Sequence, residues 1–307
     1  MTYQRMPRVA FFTYGEWAFG TIHKALCKEF YVNGIQADLI EWNRTYRLDE
    51  FAALLETYDV FVTCPGNAVP ILLNYKVPYE KMVLIAHGRW DIQYGNEFNI
   101  DYDRILGYAG IAKDLVQVSK DNGIDREMTV LQNGVSFDMF YSEPSSSLRR
   151  IGYAGKLSRS NPYENIKEWK RGHLVQKVSE NTGIPIIIKQ EMTHLAMPSY
   201  YQNVDCLMLS STENESCGLP LLEAAAAGRV PLSTMVGINK DVEKTTGYIL
   251  PMSDESYVKM GTEIINQLKS DPKLYQTKCR EAQDYAREYY DWSRVIEPWI
   301  DVIVGKL

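Results

Sequence analysis

The sequence predicts two α/β domains in tandem, each built on a doubly wound parallel sheet. The first observation is length, because 307 residues suit two domains better than one. The second is that short apolar runs alternate with longer amphipathic stretches in both halves of the chain. The third is a segment rich in Pro and Ser at 143–147, which separates the two sets and is typical of a linker.

The first half contains five short apolar runs that predict strands, at 8–14, 37–42, 59–64, 82–86 and 128–131. Between the first two, Ile22, Leu26 and Phe30 recur at helical spacing. They predict a helix over 21–33 that ends at Asn33-Gly34. Because continuously apolar strands are covered on both faces, we expect a parallel sheet with helices on each side. Such sheets bind ligands at the carboxyl ends of their strands.

The second half repeats the alternation and ends in helices. The predicted strands are 151–154, 185–189, 206–210 and 230–234. The predicted helices are 164–181, 198–202 and 219–227. From residue 256 onward the pattern is helical, with a break at Asp271-Pro272 because proline does not continue a helix.

The composition argues against several classes of function. With 39 acidic and 33 basic side chains, the formal net charge is −6, which gives no support to nucleic-acid binding. No apolar run approaches the roughly 18 residues of a membrane span, and the N-terminal residues lack the apolar core of a signal peptide. The five cysteines are scattered without C-x-x-C spacing. We therefore expect a cytoplasmic protein with reduced thiols and no metal site.

Two glutamates mark the strongest candidate site, in the stretch that follows the predicted strand 206–210. Glu215 lies in the loop after the strand, and Glu223 lies about one turn inside the helix 219–227. Gly218 lets the backbone pass close to a ligand, and the N–H groups at the helix start favour phosphate oxygens. A carboxylate accepts strong hydrogen bonds from a vicinal diol. The pair therefore suits a ligand with hydroxyls at both ends and phosphates between them.

The alternative for Glu223 is an ordinary solvated position on a helix surface. Its neighbours Leu221, Leu222 and Ala224 are apolar, however, and a carboxylate in an apolar run needs a partner.

This stretch resembles the donor motif of family-four GT-B glycosyltransferases (glycosyl transferases group 1), which typically reads Glu-Gly-Phe-Gly-Leu-Pro-x-x-Glu. The chain has Glu-Ser-Cys-Gly-Leu-Pro-Leu-Leu-Glu at 215–223, so that Ser216 and Cys217 replace Gly and Phe. The resemblance implies that Glu215 contacts hydroxyls of the donor sugar and Glu223 the nucleotide ribose. It also implies that the intervening Ser216, Cys217, Gly218 and Leu219 border the donor.

Four further segments resemble the family in the expected order, at 132–140, 197–205, 228–233 and 289–295. The resemblance therefore covers nearly the whole chain. It implies a GT-B fold, with two Rossmann-like domains facing across a cleft. The N-terminal acceptor domain would span 1–145 and be joined by the last helix, about 290–307, and the donor domain would span 146–289.

The cations that grip the donor diphosphate in the family are altered here. Gly155-Lys156 supplies the first position with Lys in place of Arg, and Lys170-Arg171-Gly172 fits the second position best. We assign the second cation to Arg171, with Arg159 as the competitor. The resemblance implies that these cations neutralise the leaving diphosphate without a metal. Ordinary solvated charges are the alternative for all three.

The first domain offers three further groups of candidates. The loop with Gly15 and Glu16 follows the first strand and does not match G-x-G-x-x-G, so no dinucleotide cofactor is indicated. In the family this loop borders the reaction centre. His87 ends the strand 82–86, where the family carries a His near the donor sugar. A polar loop follows, and its members Trp90, Asp91 and Glu97 are candidate acceptor contacts.

The resemblance implies a retaining, metal-independent transferase that uses a UDP- or GDP-sugar and a glycan, lipid-linked or small-molecule acceptor, with no cofactor. Peripheral membrane contact is compatible with a lipid-linked acceptor. The catalytic candidates are Glu215, His87, Lys156 and Arg171. Three alternatives stay open: a nucleotide-sugar 2-epimerase, a transferase acting on modified DNA bases, and an inactive partner subunit of the same fold. The sequence does not indicate the oligomeric state.

Overall fold

The computed structural model describes residues 6–15, 18–155, 168–189, 192–212, 215–237 and 247–307. The chain forms two compact units. Unit 1 comprises Met1–Gly134 and Trp292–Leu307, and unit 2 comprises Val135–Asp291. The boundary thus precedes the Pro- and Ser-rich segment in which the sequence placed it. The reason is that Ser142 and Glu143 already belong to unit 2, where they contact Ala227 and Arg229.

Unit 1 holds a six-stranded parallel sheet. Its strands are β1 Arg8–Thr13, β2 Gln36–Glu41, β3 Val60–Thr63, β4 Met82–Ala86, β5 Gly107–Gly110 and β6 Thr129–Val130. Their order in the sheet is β2-β1-β3-β4-β5-β6. The five predicted strands are confirmed within one or two residues. The sequence did not predict β5, because Gly-Tyr-Ala-Gly lacks the β-branched residues that signal a strand.

Five helices of unit 1 connect these strands: α1 Ala18–Val32, α2 Leu48–Thr57, α3 Ala68–Asn74, α4 Arg89–Glu97 and α5 Asp114–Asp121. The predicted helix over 21–33 is confirmed as α1. Its apolar face, Ile22, Leu26 and Phe30, is buried. Strands β1 and β4 are buried along almost their whole length, as parallel strands covered by helices must be.

Unit 2 holds a five-stranded parallel sheet in the order β11-β10-β9-β7-β8. Its strands are β7 Ile151–Tyr153, β8 Ile186–Ile188, β9 Cys206–Leu209, β10 Val230–Thr234 and β11 Tyr248–Leu250. Its helices are α6 Phe137–Phe140, α7 Gly172–Thr182, α8 Met197–Gln202, α9 Leu219–Ala226, α10 Asp254–Ser270 and α11 Pro272–Tyr289. Of the helix predicted over 164–181, residues 164–167 lie outside the described ranges; a 3-10 turn at Glu168–Lys170 and then α7 from Gly172 form the rest.

Helix α9 ends where the sequence predicts. Gly228 adopts a φ of 71°, which a glycine reaches without strain. Its N–H donates to the Ala225 carbonyl at 2.9 Å, and the Arg229 N–H donates to the Ala224 carbonyl at 2.8 Å. This pair of bonds is the Schellman arrangement, and it ends the helix abruptly.

The last helix, α12 Trp292–Val304, packs in unit 1. Trp299 is fully buried, and its indole N–H donates to the carbonyl of Gln132 at 2.8 Å. The break between α10 and α11 is confirmed at Asp271, whose carboxylate accepts the N–H of Leu274 at 3.0 Å. None of the helices in the described ranges is long and apolar enough to cross a membrane.

Candidate functional site

The loop between β9 and α9 places Glu215 at the carboxyl edge of the unit 2 sheet. Its backbone N–H donates to the Thr212 carbonyl at 3.1 Å, and its carbonyl accepts the N–H of Gly237 at 3.2 Å. Its side chain is 16% exposed. The hydroxyl of Ser211 donates to Oε2 at 3.3 Å. The carboxylate is therefore held by its own loop and still reaches solvent.

The ammonium of Lys170 lies beside this carboxylate, with Nζ at 3.7 Å from Glu215 Oε2. The 3-10 turn that carries Lys170 is fixed to the end of β9. Ser210 Oγ donates to the Lys170 carbonyl at 2.7 Å, and the Thr212 N–H donates to the Trp169 carbonyl at 2.8 Å. The side chains of both Lys170 and Glu215 are less than a quarter exposed, so solvent screens the pair less than a surface pair. A cation and a carboxylate thus share one edge of the sheet.

Tyr153, at the end of β7, lies close to the same pair. Burial, followed by the charge of Glu215, raises its pKa to about 12, so its hydroxyl stays protonated at neutral pH. That hydroxyl donates to the Lys170 carbonyl at 3.3 Å.

The neighbouring Arg171 has a different environment from the one the sequence predicted. Its Nε donates to the Ser210 carbonyl at 2.7 Å. Its Nη1 donates to the Met252 carbonyl at 2.6 Å and to Asp254 Oδ1 at 2.9 Å. Only 13% of the side chain is exposed. The guanidinium therefore ties the start of α7 to β9 and α10, and the cation next to Glu215 is Lys170 and not Arg171.

The other predicted donor residues divide into two groups. Lys156, Arg159 and Glu16 lie outside the described residues. Ser216, Cys217, Gly218 and Leu219 lie between Glu215 and the start of α9; Cys217 and Gly218 are buried and the other two are partly exposed. Gly218 has a φ of 73°, a left-handed conformation that lets the chain turn into the helix.

Glu223 is buried, with 8% of its surface exposed, and both of its carboxylate oxygens have partners. The hydroxyl of Tyr201 donates to Oε2 at 2.7 Å. Nε2 of His194 lies 3.3 Å from Oε1. A solvated helix position is thus the wrong interpretation of Glu223, because the apolar run is buried and the carboxylate has found partners within the unit.

In unit 1, Gly15 follows β1 and is held from two sides. Its N–H donates to Glu41 Oε2 at 3.0 Å, and its carbonyl accepts from Lys24 Nζ at 2.8 Å. Glu41 ends β2, the neighbour of β1 in the sheet. The side chains of the adjacent strand and helix therefore fix the position of this turn.

His87 follows β4, and the chain after it is helix α4, not the polar loop that the sequence predicted. Asp91 closes this turn, because its Oδ2 accepts the N–H groups of His87 and Gly88 at 2.6 and 3.0 Å. The Asp91 carboxylate is thus committed to the backbone. Trp90 is 62% exposed and Glu97 is exposed, and Tyr94 and Phe98 lie on the same face as Trp90 at helical spacing.

The imidazoles of His87 and His23 lie against each other, with ring centroids 5.3 Å apart. Burial lowers the pKa of His87 to about 4. Burial, together with the nearby His87, lowers the pKa of His23 well below its usual value. Both rings are therefore neutral at physiological pH.

A pH-dependent prediction follows from Asp91, whose pKa is raised from 3.8 to about 6 by burial. Because the folded state binds the proton more tightly, Asp91 opposes folding increasingly as pH rises from about 4 to 6. Asp91→Asn keeps an oxygen for both N–H groups but carries no charge. We expect the Tm of the variant relative to wild type to be higher at pH 7.5 than at pH 4.5. Thermal unfolding at both pH values measures this, and a constant difference would contradict it.

Within the ranges that the structure describes, no group of three or more His, Cys, Asp or Glu side chains is arranged to hold a metal ion.

One known protein family matches the part of the chain that carries Lys170, Glu215 and Glu223. Residues 170–288 match the family model described as "Glycosyl transferases group 1". The resemblance to group 1 glycosyltransferases is confirmed. The matched range begins at Lys170 and contains Glu215, Glu223 and the carboxyl ends of β8, β9, β10 and β11.

Solved structures share the fold of the whole chain. HepE from Anabaena, in complex with UDP and glucose, has a TM-score of 0.69 at 14% identity; the alignment covers 99% of this chain and 100% of that one. Sucrose-phosphate synthase from Thermosynechococcus elongatus has a TM-score of 0.65 at 12% identity, covering 96% and 97%. An alpha-glucosyltransferase in complex with UDP and a 13-mer DNA with a central A:G mismatch has a TM-score of 0.70 at 11% identity, covering 96% and 99%. No curated protein sequence matches the chain. The likenesses show the GT-B fold, with two parallel-sheet Rossmann-like domains.

Reasoning from the sequence missed three residues of this site: Lys170, Tyr201 and His194. Lys170 belongs to the tripeptide Lys170-Arg171-Gly172, but spacing alone did not show which of its two cations lies beside Glu215. Tyr201 lay in the segment 197–205 that resembles the family, and the buried acid at Glu223 was the signal that such a donor had to exist. No sequence signal pointed to His194.

Proposed function

We propose that the chain is a retaining, metal-independent glycosyltransferase. It transfers a sugar from a UDP- or GDP-sugar to a glycan, lipid-linked or small-molecule acceptor. The observation that carries the proposal is the pairing of Lys170 with Glu215 at the carboxyl edge of the unit 2 sheet, one loop before the buried Glu223. This edge is where doubly wound sheets bind nucleotides. The confirmed group 1 resemblance supports it.

In this proposal the two carboxylates and the cations bind different parts of the donor. Glu215 accepts hydrogen bonds from the sugar hydroxyls, and Glu223 accepts from the ribose. Lys170 supplies the second positive charge, which the sequence assigned to Arg171 with Arg159 as the competitor, and Lys156 supplies the first. The backbone at 216–219 borders the diphosphate at the start of α9. Gly15, Glu16 and His87 keep the roles that the family resemblance implies.

The chemistry proposed is a front-face displacement. The bond from the anomeric carbon to the diphosphate oxygen breaks, and the acceptor oxygen forms a new bond on the same face. The acceptor proton passes to the departing phosphate, so no protein group need act as nucleophile. The protein contributes position and charge, and Lys170 stabilises the negative charge that grows on the leaving group.

For the acceptor, helix α4 offers the exposed residues. Trp90 and Glu97 remain the proposed contacts, and Tyr94 and Phe98 extend the exposed aromatic face. Asp91 serves them indirectly, because it fixes the turn from which the helix begins. A cytoplasmic location and peripheral membrane contact also remain proposals.

A thermal-shift titration with UDP, GDP and ADP tests the proposal. Because a ligand that binds the native state stabilises it by RT ln(1 + [L]/Kd), a hundredfold excess over Kd adds about 2.7 kcal/mol. We expect one of the three nucleotides to raise the Tm by several degrees, in EDTA as well as without it. That base then selects the sugar nucleotides for transfer assays. No shift with any of them would contradict the proposal and favour an inactive partner subunit.

The likeness to a glucosyltransferase bound to DNA favours one alternative, transfer to modified DNA bases. The net charge of −6 argues against it. Duplex binding that weakens steeply with salt would decide for this alternative over a glycan or lipid-linked acceptor.

A further inference from the structure

We propose that Tyr201 and His194 are positioning residues that orient Glu223, so that a single carboxylate oxygen, Oε1, accepts a hydroxyl of the donor ribose. The inference rests on the proposed function. It goes beyond that proposal by assigning the ribose contact to one oxygen of Glu223, which two side chains of this chain hold in place.

Oε2 of Glu223 accepts a hydrogen bond from a buried side chain of unit 2. Its partner Tyr201 is fully buried on α8, and the hydroxyl donates to Oε2 at 2.7 Å. The same hydroxyl lies 3.3 Å from the Pro220 carbonyl in the first turn of α9. Burial and the Glu223 charge raise the pKa of Tyr201 well above its usual value, so the hydroxyl remains a donor. Oε2 is therefore bound by a fully buried side chain.

Oε1 is the oxygen of Glu223 that lies next to His194. Nε2 of His194 is 3.3 Å away, and 32% of the His194 side chain is exposed. Phe140 packs edge-on against both partners, with ring centroids 5.5 Å from His194 and 5.8 Å from Tyr201. The two rings that hold the carboxylate are thus braced by one buried aromatic side chain. The ring beside Oε1 is therefore partly exposed, whereas the ring that contacts Oε2 is fully buried.

A carboxylate oxygen has two acceptor sites. Each oxygen of Glu223 therefore keeps one acceptor site besides its protein partner, and we assign the one on Oε1, beside the partly exposed His194, to the ligand hydroxyl. Without the Tyr201 bond the carboxylate would rotate about its terminal torsion, which is broad and weakly restricted. The hydrogen bond from Tyr201 therefore acts on nucleotide affinity through the orientation of Glu223.

The chain supplies a matched control. Tyr200 is the adjacent residue on α8, is also buried, and donates through its hydroxyl to the Ile187 carbonyl at 3.2 Å, away from Glu223. Tyr201→Phe and Tyr200→Phe each remove one buried hydroxyl from the same helix. A purely structural contribution would act similarly in both variants.

The experiment measures the affinity of wild type, Tyr201→Phe and Tyr200→Phe for the best-binding nucleotide of UDP, GDP and ADP, and for its 2′-deoxy and 3′-deoxy analogues. In wild type, one deoxy analogue is expected to bind about tenfold more weakly, the loss of one hydrogen bond to a charged acceptor. Tyr201→Phe is expected to weaken the parent nucleotide about tenfold and to leave that analogue unchanged, so that discrimination disappears. In transfer assays the donor KM rises and kcat changes little. Tyr200→Phe keeps the wild-type discrimination.

Two results would overturn the inference: full discrimination in Tyr201→Phe, or an equal loss in both Tyr variants. If Tyr201→Phe does not fold, His194→Ala provides the second test, because its partly exposed side chain is removed at small cost to the core. We expect His194→Ala to weaken the parent nucleotide several-fold and the discriminated analogue by less. Equal weakening of the two would refute the role of His194. A wild-type protein that binds no nucleotide would instead refute the proposed function itself.

Discussion

Glu215→Gln is expected to lower kcat about 10²–10³-fold, the typical effect of removing one preorganised electrostatic contact from an active site. The amide retains the size of the side chain and one acceptor oxygen but loses the charge. Two contributions then disappear together: charge-assisted hydrogen bonds to the donor sugar, and the electrostatic partner of Lys170 at 3.7 Å. Steady-state transfer assays at saturating donor measure the change.

The fold should tolerate this substitution. Glu215 is held mainly through backbone bonds to Thr212 and Gly237, which the variant keeps. We therefore expect the Tm to stay within about 2 °C of wild type, since the ion pair is partly exposed and contributes at most about 1 kcal/mol. Glu255→Gln, an exposed carboxylate in the first turn of α10, is the matched control and should keep full activity. Wild-type activity in Glu215→Gln would remove the case for a donor-binding carboxylate.

Most of the fold was predictable from the sequence because its strands are short apolar runs that alternate with amphipathic stretches. The strands at 82–86 and 230–234 were predicted to the residue. Helix α4 was predicted as a polar loop, because its sequence is polar and contains Gly95. It forms because Asp91 caps its start and Ile92 packs in the core. Tertiary contacts thus outweigh a weak local preference.

Residue spacing in the sequence was enough to predict the two glutamates of the candidate site, but not the side chains that surround them. Spacing identified Glu215 and Glu223, since a loop carboxylate and a helix carboxylate on one edge suit a nucleotide sugar. It did not identify which of two adjacent cations faces that edge. Arg171 has a φ of 43°, a left-handed conformation that turns the chain between Lys170 and α7. The two neighbouring side chains consequently point to different surroundings, and only backbone geometry reveals which of them reaches Glu215.

Lys170 and Arg171 lie in different surroundings, so we expect their replacement by Met to have opposite effects on activity and stability. Lys170→Met is expected to lower kcat about 10²–10³-fold, because the leaving diphosphate loses a preorganised cation. Its Tm should change little, since the Lys170–Glu215 pair is partly solvated. Arg171→Met is expected to lower the Tm and to change kcat little. It leaves the Ser210 and Met252 carbonyls without their charged donor and destabilises the fold by roughly 2–4 kcal/mol.

Transfer assays below the Tm of both variants, paired with thermal unfolding, separate the two roles. Arg171→Met should retain activity within about tenfold of wild type at such a temperature, because its guanidinium acts on the fold and not on the donor. The reverse pattern, an inactive but stable Arg171→Met beside an active Lys170→Met, would restore Arg171 as the phosphate cation. The pair is informative because the two residues are adjacent. A general disturbance of the turn before α7 would affect both variants alike, whereas a specific loss of one charge at the donor affects only Lys170→Met.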